Sequence, residues 1–185
     1  MELKWNQKAY GPRDWKRGEQ REALVQQALE DAGFSVSVVG RGARSTEYVR
    51  PDDATPMAYP DLMIDDLLIN GKPVLIEVTG SDRRDLPYKD LLHVNITKWK
   101  CAWDYRDRHH TFVVHMYGLE DWYVVKLDKK FRKNAQSNRV KVNARQRRKN
   151  GVEWVERMYE FSNTMPGVYS WPNFVHALKA QKGDA

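Results

Sequence analysis

The chain has 185 residues, with 41% apolar and 11% aromatic side chains and a formal charge of +6. That is enough apolar material for one domain with a real core, and it argues against a disordered chain. No apolar run is long enough to cross a membrane, the first residues lack a secretory h-region, and the lone Cys101 excludes an internal disulfide or a multi-cysteine zinc site, so an intracellular protein is expected.

Residues 1–17 read as an irregular lead-in, because Gly11-Pro12 opposes a continuous helix. Leu24, Val25, Ala28, Leu29 and Ala32 recur at helical spacing, which predicts a helix over Glu19–Ala32 that stops at Gly33. Phe34 to Val39 alternates as a strand, and residues 40–58 form a loop with no period. Asp61-Leu-Met-Ile predicts a short strand that Leu67-Leu-Ile extends. Asn70-Gly71 is a type I′ hairpin signal, and the apolar Pro73–Thr79 strand that follows looks central.

Leu92, Ile96, Trp99, Ala102 and Trp103 fall near one face of a helix predicted over Lys89–Tyr105. Two strands follow, at Thr111–Met116 and Trp122–Leu127. Glu153–Phe161 fits a strand or a helix, and Ser170 is placed to cap a last helix with Pro172 in its first turn.

Charge placement is more telling than net charge. Lys126 to Lys149 holds eleven basic residues and one acid, Asp128, which leaves the remainder mildly acidic. Such a block suits a polyanion, nucleic acid above all; the plain alternative is a solvated basic loop. Its candidate phosphate contacts are Lys129, Lys130, Arg132, Lys133, Arg139, Lys141, Arg145, Arg147, Arg148 and Lys149, joined by Arg41 and Arg44 around a glycine-bearing loop. Phe131 is the nearest stacking platform, and the scarcity of aromatics favours duplex or branched DNA backbone over single strands.

Asp61 heads one strand, and Glu77 lies sixteen positions later near the end of the next. The Asn70-Gly71 hairpin brings both toward one end of a sheet. Close carboxylates repel unless a cation sits between them, and hard oxygen donors suit Mg²⁺ or Mn²⁺. His109 and His110 read as turn residues and His115 as strand or core, since their spacing lacks a zinc pattern.

Tyr59-Pro-Asp-Leu-Met-Ile followed by Val74-Leu-Ile-Glu-Val-Thr resembles the PD-(D/E)xK signature of restriction-endonuclease-like nucleases. Gly18-Glu-Gln-Arg-Glu22 resembles the start of the first helix in archaeal Holliday junction resolvases. Over about residues 18–127 the element order resembles that family's αβββαβ core. The resemblance implies an α/β fold, a mixed central sheet flanked by helices, and two parts: a nuclease-like core over 1–128 and a basic C-terminal extension over 129–185 packing on it.

The resemblance further implies a Mg²⁺-dependent DNA endonuclease. Asp61, Glu77, the Val78 carbonyl and Glu22 would surround the metal, and a homodimer would suit two cuts in a duplex. The signature lysine would stand where this chain has Thr79. Threonine donates a hydrogen bond but carries no charge. Lys98, on the helix after the strand, is the preferred substitute, with Lys89 next; Lys72 is too far back. An inactive nucleic-acid-binding module and an RNA nuclease are the alternatives.

Overall fold

The computed structural model describes residues 12–39, 60–81, 90–104, 106–136, 140–149 and 152–183. In chain order the elements are α1 (Pro12–Asp31), β1 (Val36–Val38), β2 (Leu62–Ile69), β3 (Lys72–Ser81), β4 (Leu91–Asn95), α2 (Ile96–Asp104), β5 (His110–Tyr117), β6 (Asp121–Lys126), α3 (Lys129–Gln136), β7 (Val140–Lys149), β8 (Val152–Ser162), β9 (Val168–Ser170) and α4 (Trp171–Lys182). The chain is a mixed α/β protein.

A six-stranded sheet runs in the order β1-β2-β3-β5-β6-β9, and a three-stranded sheet in the order β4-β8-β7. In the larger sheet β3 and β5 are parallel and the other pairs antiparallel, so the sheet is mixed. The β2–β3 turn is the one the dipeptide demands, since Asn70 and Gly71 have φ of 50° and 74°, the left-handed values of a type I′ turn.

Strand alternation sorts the core into two. On one face Leu62, Ile64, Val74, Ile76, Phe112, Val114, Met116 and Val124 pack against Val25 and Leu29 of α1 and Phe174 and Leu178 of α4. On the other face Val113, Tyr117, Val125 and Leu127 meet Trp99 and Ala102 of α2, Phe131 of α3, and Leu92, Val94 and Phe161 of the small sheet. Removing a side chain such as Phe131, 2% exposed, is expected to cost about 3–5 kcal/mol.

Several expectations need correction. Helix α1 begins at Pro12 rather than Glu19. Proline is well suited to a first helical turn, where its missing N–H costs nothing. The helix expected over Lys89–Tyr105 is a strand, β4, that turns at once into the shorter α2. Leu92 and Val94 fit either period, and pairing with β8 from Leu91↔Ser162 to Asn95↔Met158 decides for the strand. The basic block is not a loop where it is described: it forms α3 and β7, and β8 pairs with β7 along its length. Residues after 128 also enter the main sheet, because β9 pairs with β6. Ser170 stands at the N-cap of α4 as expected, though its side chain makes no capping bond.

Candidate functional site

The β2–β3 register pairs Leu62 with Ile76, which puts Asp61 and Glu77 one step further along, opposite each other. Leu62 and Ile76 point into the α1 core, so their neighbours Asp61 and Glu77 face the opposite layer, toward α2. Both carboxylates are buried, at 4% and 6% exposure.

Three contacts fix the pair. The Val78 N–H donates to Asp61 Oδ2 at 2.8 Å, so the backbone of β3 holds the carboxylate of β2. Lys98 Nζ, in the first turn of α2, donates to Glu77 Oε2 at 2.8 Å. The same ammonium acts electrostatically on Asp61. One cation thus serves two buried acids on neighbouring strands.

Burial pushes the Glu77 carboxyl up to about 8; the charge of Asp61 adds to this, Lys98 opposes it, and Glu22 raises it further. Burial also raises Asp61, against the pull of Lys98 and the Val78 N–H. Each acid thus disfavours the ionisation of the other, and Lys98 opposes this only in part.

Glu22 is 5% exposed on α1, one turn before the core residue Val25, and its charge is felt at Glu77. Its neighbour Arg21, 9% exposed, was not foreseen. A Cβ on Gly80 would press into the Met116 carbonyl of β5 and lie 2.8 Å from Arg21 Nε, so the fixed backbone of β5 calls for glycine here, and the Arg21 side chain lies over it. The sequence signal was a glycine ending an otherwise apolar strand.

Thr79 is partly exposed, two residues after Glu77 on the same strand face, and opposite His115 on β5. Among the other lysines considered, Lys100 is exposed and Lys72 Nζ donates to the Arg106 carbonyl at 3.2 Å. Lys72 begins the ten-residue β3, so it lies at the opposite end of the strand. Lys89 lies outside the described residues, as do Arg41, Arg44 and Arg139.

The basic residues lie on two elements, α3 and β7. Lys129, Lys130, Arg132 and Lys133 are exposed on α3, with the Arg132 guanidinium 4.6 Å from the centroid of Trp103. Lys141, Arg145, Arg147, Arg148 and Lys149 lie along β7, and Lys141 is exposed. Phe131 is no stacking platform, because it is buried against Trp99, Tyr159 and Phe161.

His115 is 3% exposed, and its Nδ1 has no hydrogen-bond partner among the described residues. Burial, then His93 and Arg21, lower it to about 3, so it is a neutral core histidine, as expected. His109 and His110 are not turn residues: His109 follows the turn at 106–108 and is buried beside Thr111, 3.2 Å from its hydroxyl, and His110 opens β5. Across the small sheet His93 Nε2 and Glu160 Oε2 are 2.9 Å apart, a pair no sequence signal announced because it depends on the β4–β8 register.

Among the described residues no group of three or more His, Cys, Asp or Glu is arranged to hold a metal ion. The two-carboxylate set of Asp61 and Glu77 still fits Mg²⁺, which keeps several waters and often takes only one or two protein carboxylates. Each carboxylate retains acceptor capacity beyond the single bond described.

No helix among the described residues is long and apolar enough to cross a membrane. No family model matches the chain, and no curated protein matches it. Among solved structures the chain is similar to Hjc, a Holliday junction resolvase from the archaeal hyperthermophile Archaeoglobus fulgidus. The identity is 13%, the TM-score 0.47, and the alignment covers 86% of this chain and 96% of that one. A likeness this distant carries no inference about chemistry, which must come from the site itself.

Proposed function

We propose that this chain is a divalent-metal-dependent DNA endonuclease of the PD-(D/E)xK kind, on a restriction-endonuclease-like core. The observation that carries the reading is the 2.8 Å contact between Lys98 Nζ of α2 and Glu77 Oε2, on the strand beside Asp61. It supplies the lysine that the strand lacks at Thr79.

Asp61, Glu77 and the Val78 carbonyl would hold Mg²⁺ or Mn²⁺, with Glu22 on the α1 side. The metal supplies a nucleophilic water at neutral pH and charge neutralisation at phosphate oxygens. The chain's own residues do the rest. The Val78 N–H orients Asp61, and Lys98 orients the attacking water and offsets negative charge on the scissile phosphate. Thr79 offers one further hydrogen bond. The exposed cations of α3 would hold the DNA backbone.

Thr79, and the lack among the described residues of a third metal-disposed carboxylate, favour a second reading: a nuclease-like fold that binds nucleic acid without cutting it. Incubation with plasmid, linear and branched DNA and with matched RNA, in Mg²⁺ or Mn²⁺, separates the two. Cleavage is expected on DNA and is expected to vanish in Asp61→Ala and Glu77→Ala. Undiminished cleavage by either variant would remove the proposal, and calorimetry showing no metal binding would select the second reading.

A further inference from the structure

β8 is longer than the strand on its outer side. β4 pairs only with the stretch from Met158 to Ser162, whereas β7 pairs with β8 from Phe161 back to Val152. The segment 144–149 with 152–157 is thus a two-stranded ribbon beyond the reach of β4, about 20 Å long at ~3.3 Å per residue. It emerges past Asn95, where β4 becomes α2, and Lys98 stands in the first turn of that helix.

The charge of this ribbon is set by its register. It carries five basic residues and two acids. Glu156 stands opposite Arg145 and Glu153 opposite Arg148, so two of the cations have an acid across the strand. Arg147 and Lys149 stand opposite Trp154 and Val152. In the strand period of two, Arg147 and Lys149 share one ribbon face with Arg145 and Lys141. Arg157, opposite Ala144, is the third cation with no acid directly across the strand, at the root and on the other face, so Arg147 and Lys149 are the pair of such positions nearest the tip on a single face.

We propose that this ribbon is an arm that lies in the major groove of duplex DNA, with Arg147 and Lys149 on the phosphates that flank it. A two-stranded ribbon matches a B-form major groove, about 12 Å wide, and does not enter the deep, narrow groove of A-form RNA. The arm's length spans that groove, and its root is joined through β4 to the helix that delivers Lys98. The proposal deepens the nuclease reading by naming B-form duplex as the substrate, and it rests on that reading for the identity of the polyanion.

Binding in EDTA separates the two ideas, because it does not require cleavage. Fluorescence anisotropy on a duplex of about three helical turns, repeated across salt concentrations, gives the number of phosphates neutralised. The wild-type chain is expected to bind B-form DNA at least about tenfold tighter than the matched RNA duplex. Arg147→Thr with Lys149→Thr keeps strand propensity and is expected to shrink the slope of log affinity against log salt by about 1.8. The same double variant is expected to erase the preference for DNA.

A second measurement needs no variant: DNA whose cytosines carry a bulky 5-substituent filling the major groove is expected to lose affinity for the wild-type chain. An unchanged salt slope, equal affinity for the RNA duplex, or indifference to the groove-filling substituent each overturns the arm. Intact duplex binding without cleavage in Mg²⁺ sinks the nuclease reading and leaves the arm standing.

Discussion

Replacing Lys98 with methionine is the most informative single change, because stability and catalysis respond to it by different amounts. The ammonium lies 2.8 Å from a carboxylate oxygen whose side chain is 8% exposed, while its own side chain is 31% exposed. Removing one partner of a fully buried ion pair costs about 3–5 kcal/mol, since a bare charge is left behind. Here that cost has a ceiling. Glu77 already titrates near 8, so at neutral pH it takes up a proton instead of standing charged without its partner. With the exposure of Lys98 discounted as well, a loss of about 1–2 kcal/mol is expected at pH 7.

The catalytic loss is larger. A positioned group that orients or activates the attacking water contributes about 10²- to 10⁴-fold. Single-turnover cleavage in Mg²⁺ beside thermal melting tests both halves. Lys98→Met is expected to melt as a folded protein a few degrees below the wild type and to cut at least about a hundredfold more slowly. A folded variant that cuts within threefold of the wild type would refute the role given to Lys98.

The pH dependence supplies an independent check in metal-free buffer. A carboxyl whose folded pKa is raised holds its proton longer in the native state, so native stability declines as pH climbs from the unfolded value of 4.5 to about 8. Without Lys98 the folded pKa rises further, and the decline continues past 8. The deficit of Lys98→Met should therefore widen above pH 8, and a deficit that narrows there would mean Glu77 is not the group involved.

Further expectations follow from the same geometry. Thr79→Lys added to Lys98→Met should recover at least about tenfold of the lost cleavage, because positions 77 and 79 share a strand face; no recovery would mean a lysine at 79 cannot serve the site. Gly80→Ala should cost about 1–3 kcal/mol by denaturant titration, because its Cβ would meet the fixed carbonyl of Met116; an unchanged midpoint would refute the close approach of the β5 backbone at this position. His115 is neutral when folded down to about 3, so the unfolded chain binds the extra proton between 6.5 and 3. Stability should fall with acidification through that window by up to about 1.4 kcal/mol per pH unit, and His115→Phe should flatten the slope. Calorimetry in two buffers of unlike ionisation heat should show proton release when Mg²⁺ binds, since Glu77 must lose its proton to become a ligand; no release would place the metal elsewhere.

What the sequence revealed and what it hid divide along one line, the range of the interaction. The Asn70-Gly71 turn is local and lays the two strands side by side, but the register that places Asp61 opposite Glu77 also needs the irregularity between Ile64 and Leu68, which shifts the pairing from Leu68↔Pro73 to Ile64↔Val74 and which no sequence signal announces. Lys98 was reachable, since a helix following β3 returns over the face that Glu77 occupies. β4 was missed because Leu92 and Val94 satisfy two periods, and only β8, more than sixty residues later, chooses between them. β7 offered no apolar stripe along its basic distal half, and a strand without one escapes a pattern search.

Yet a local signal for that hairpin was present. Lys149 pairs with Val152, leaving two residues between the strands, and those residues are Asn150-Gly151, the same dipeptide that joins β2 to β3. Its flanks are charged rather than apolar, so it lacks the apolar alternation that accompanies Asn70-Gly71. That difference marks the two hairpins as serving different ends. The first is largely apolar because it builds the centre of a sheet, with exposed Asp65 and Asp66 in mid-strand and Asp61 and Glu77 at the end away from the turn. In the second, Phe161 at the root packs against Phe131, and the outer half of β7 is rich in basic residues. A ribbon that spends basic residues on a segment where a core-forming strand would place valine or isoleucine gains nothing for folding. On the proposed reading that charge serves a polyanion, and β8, from which the ribbon grows, is paired with the strand that leads into the helix of Lys98.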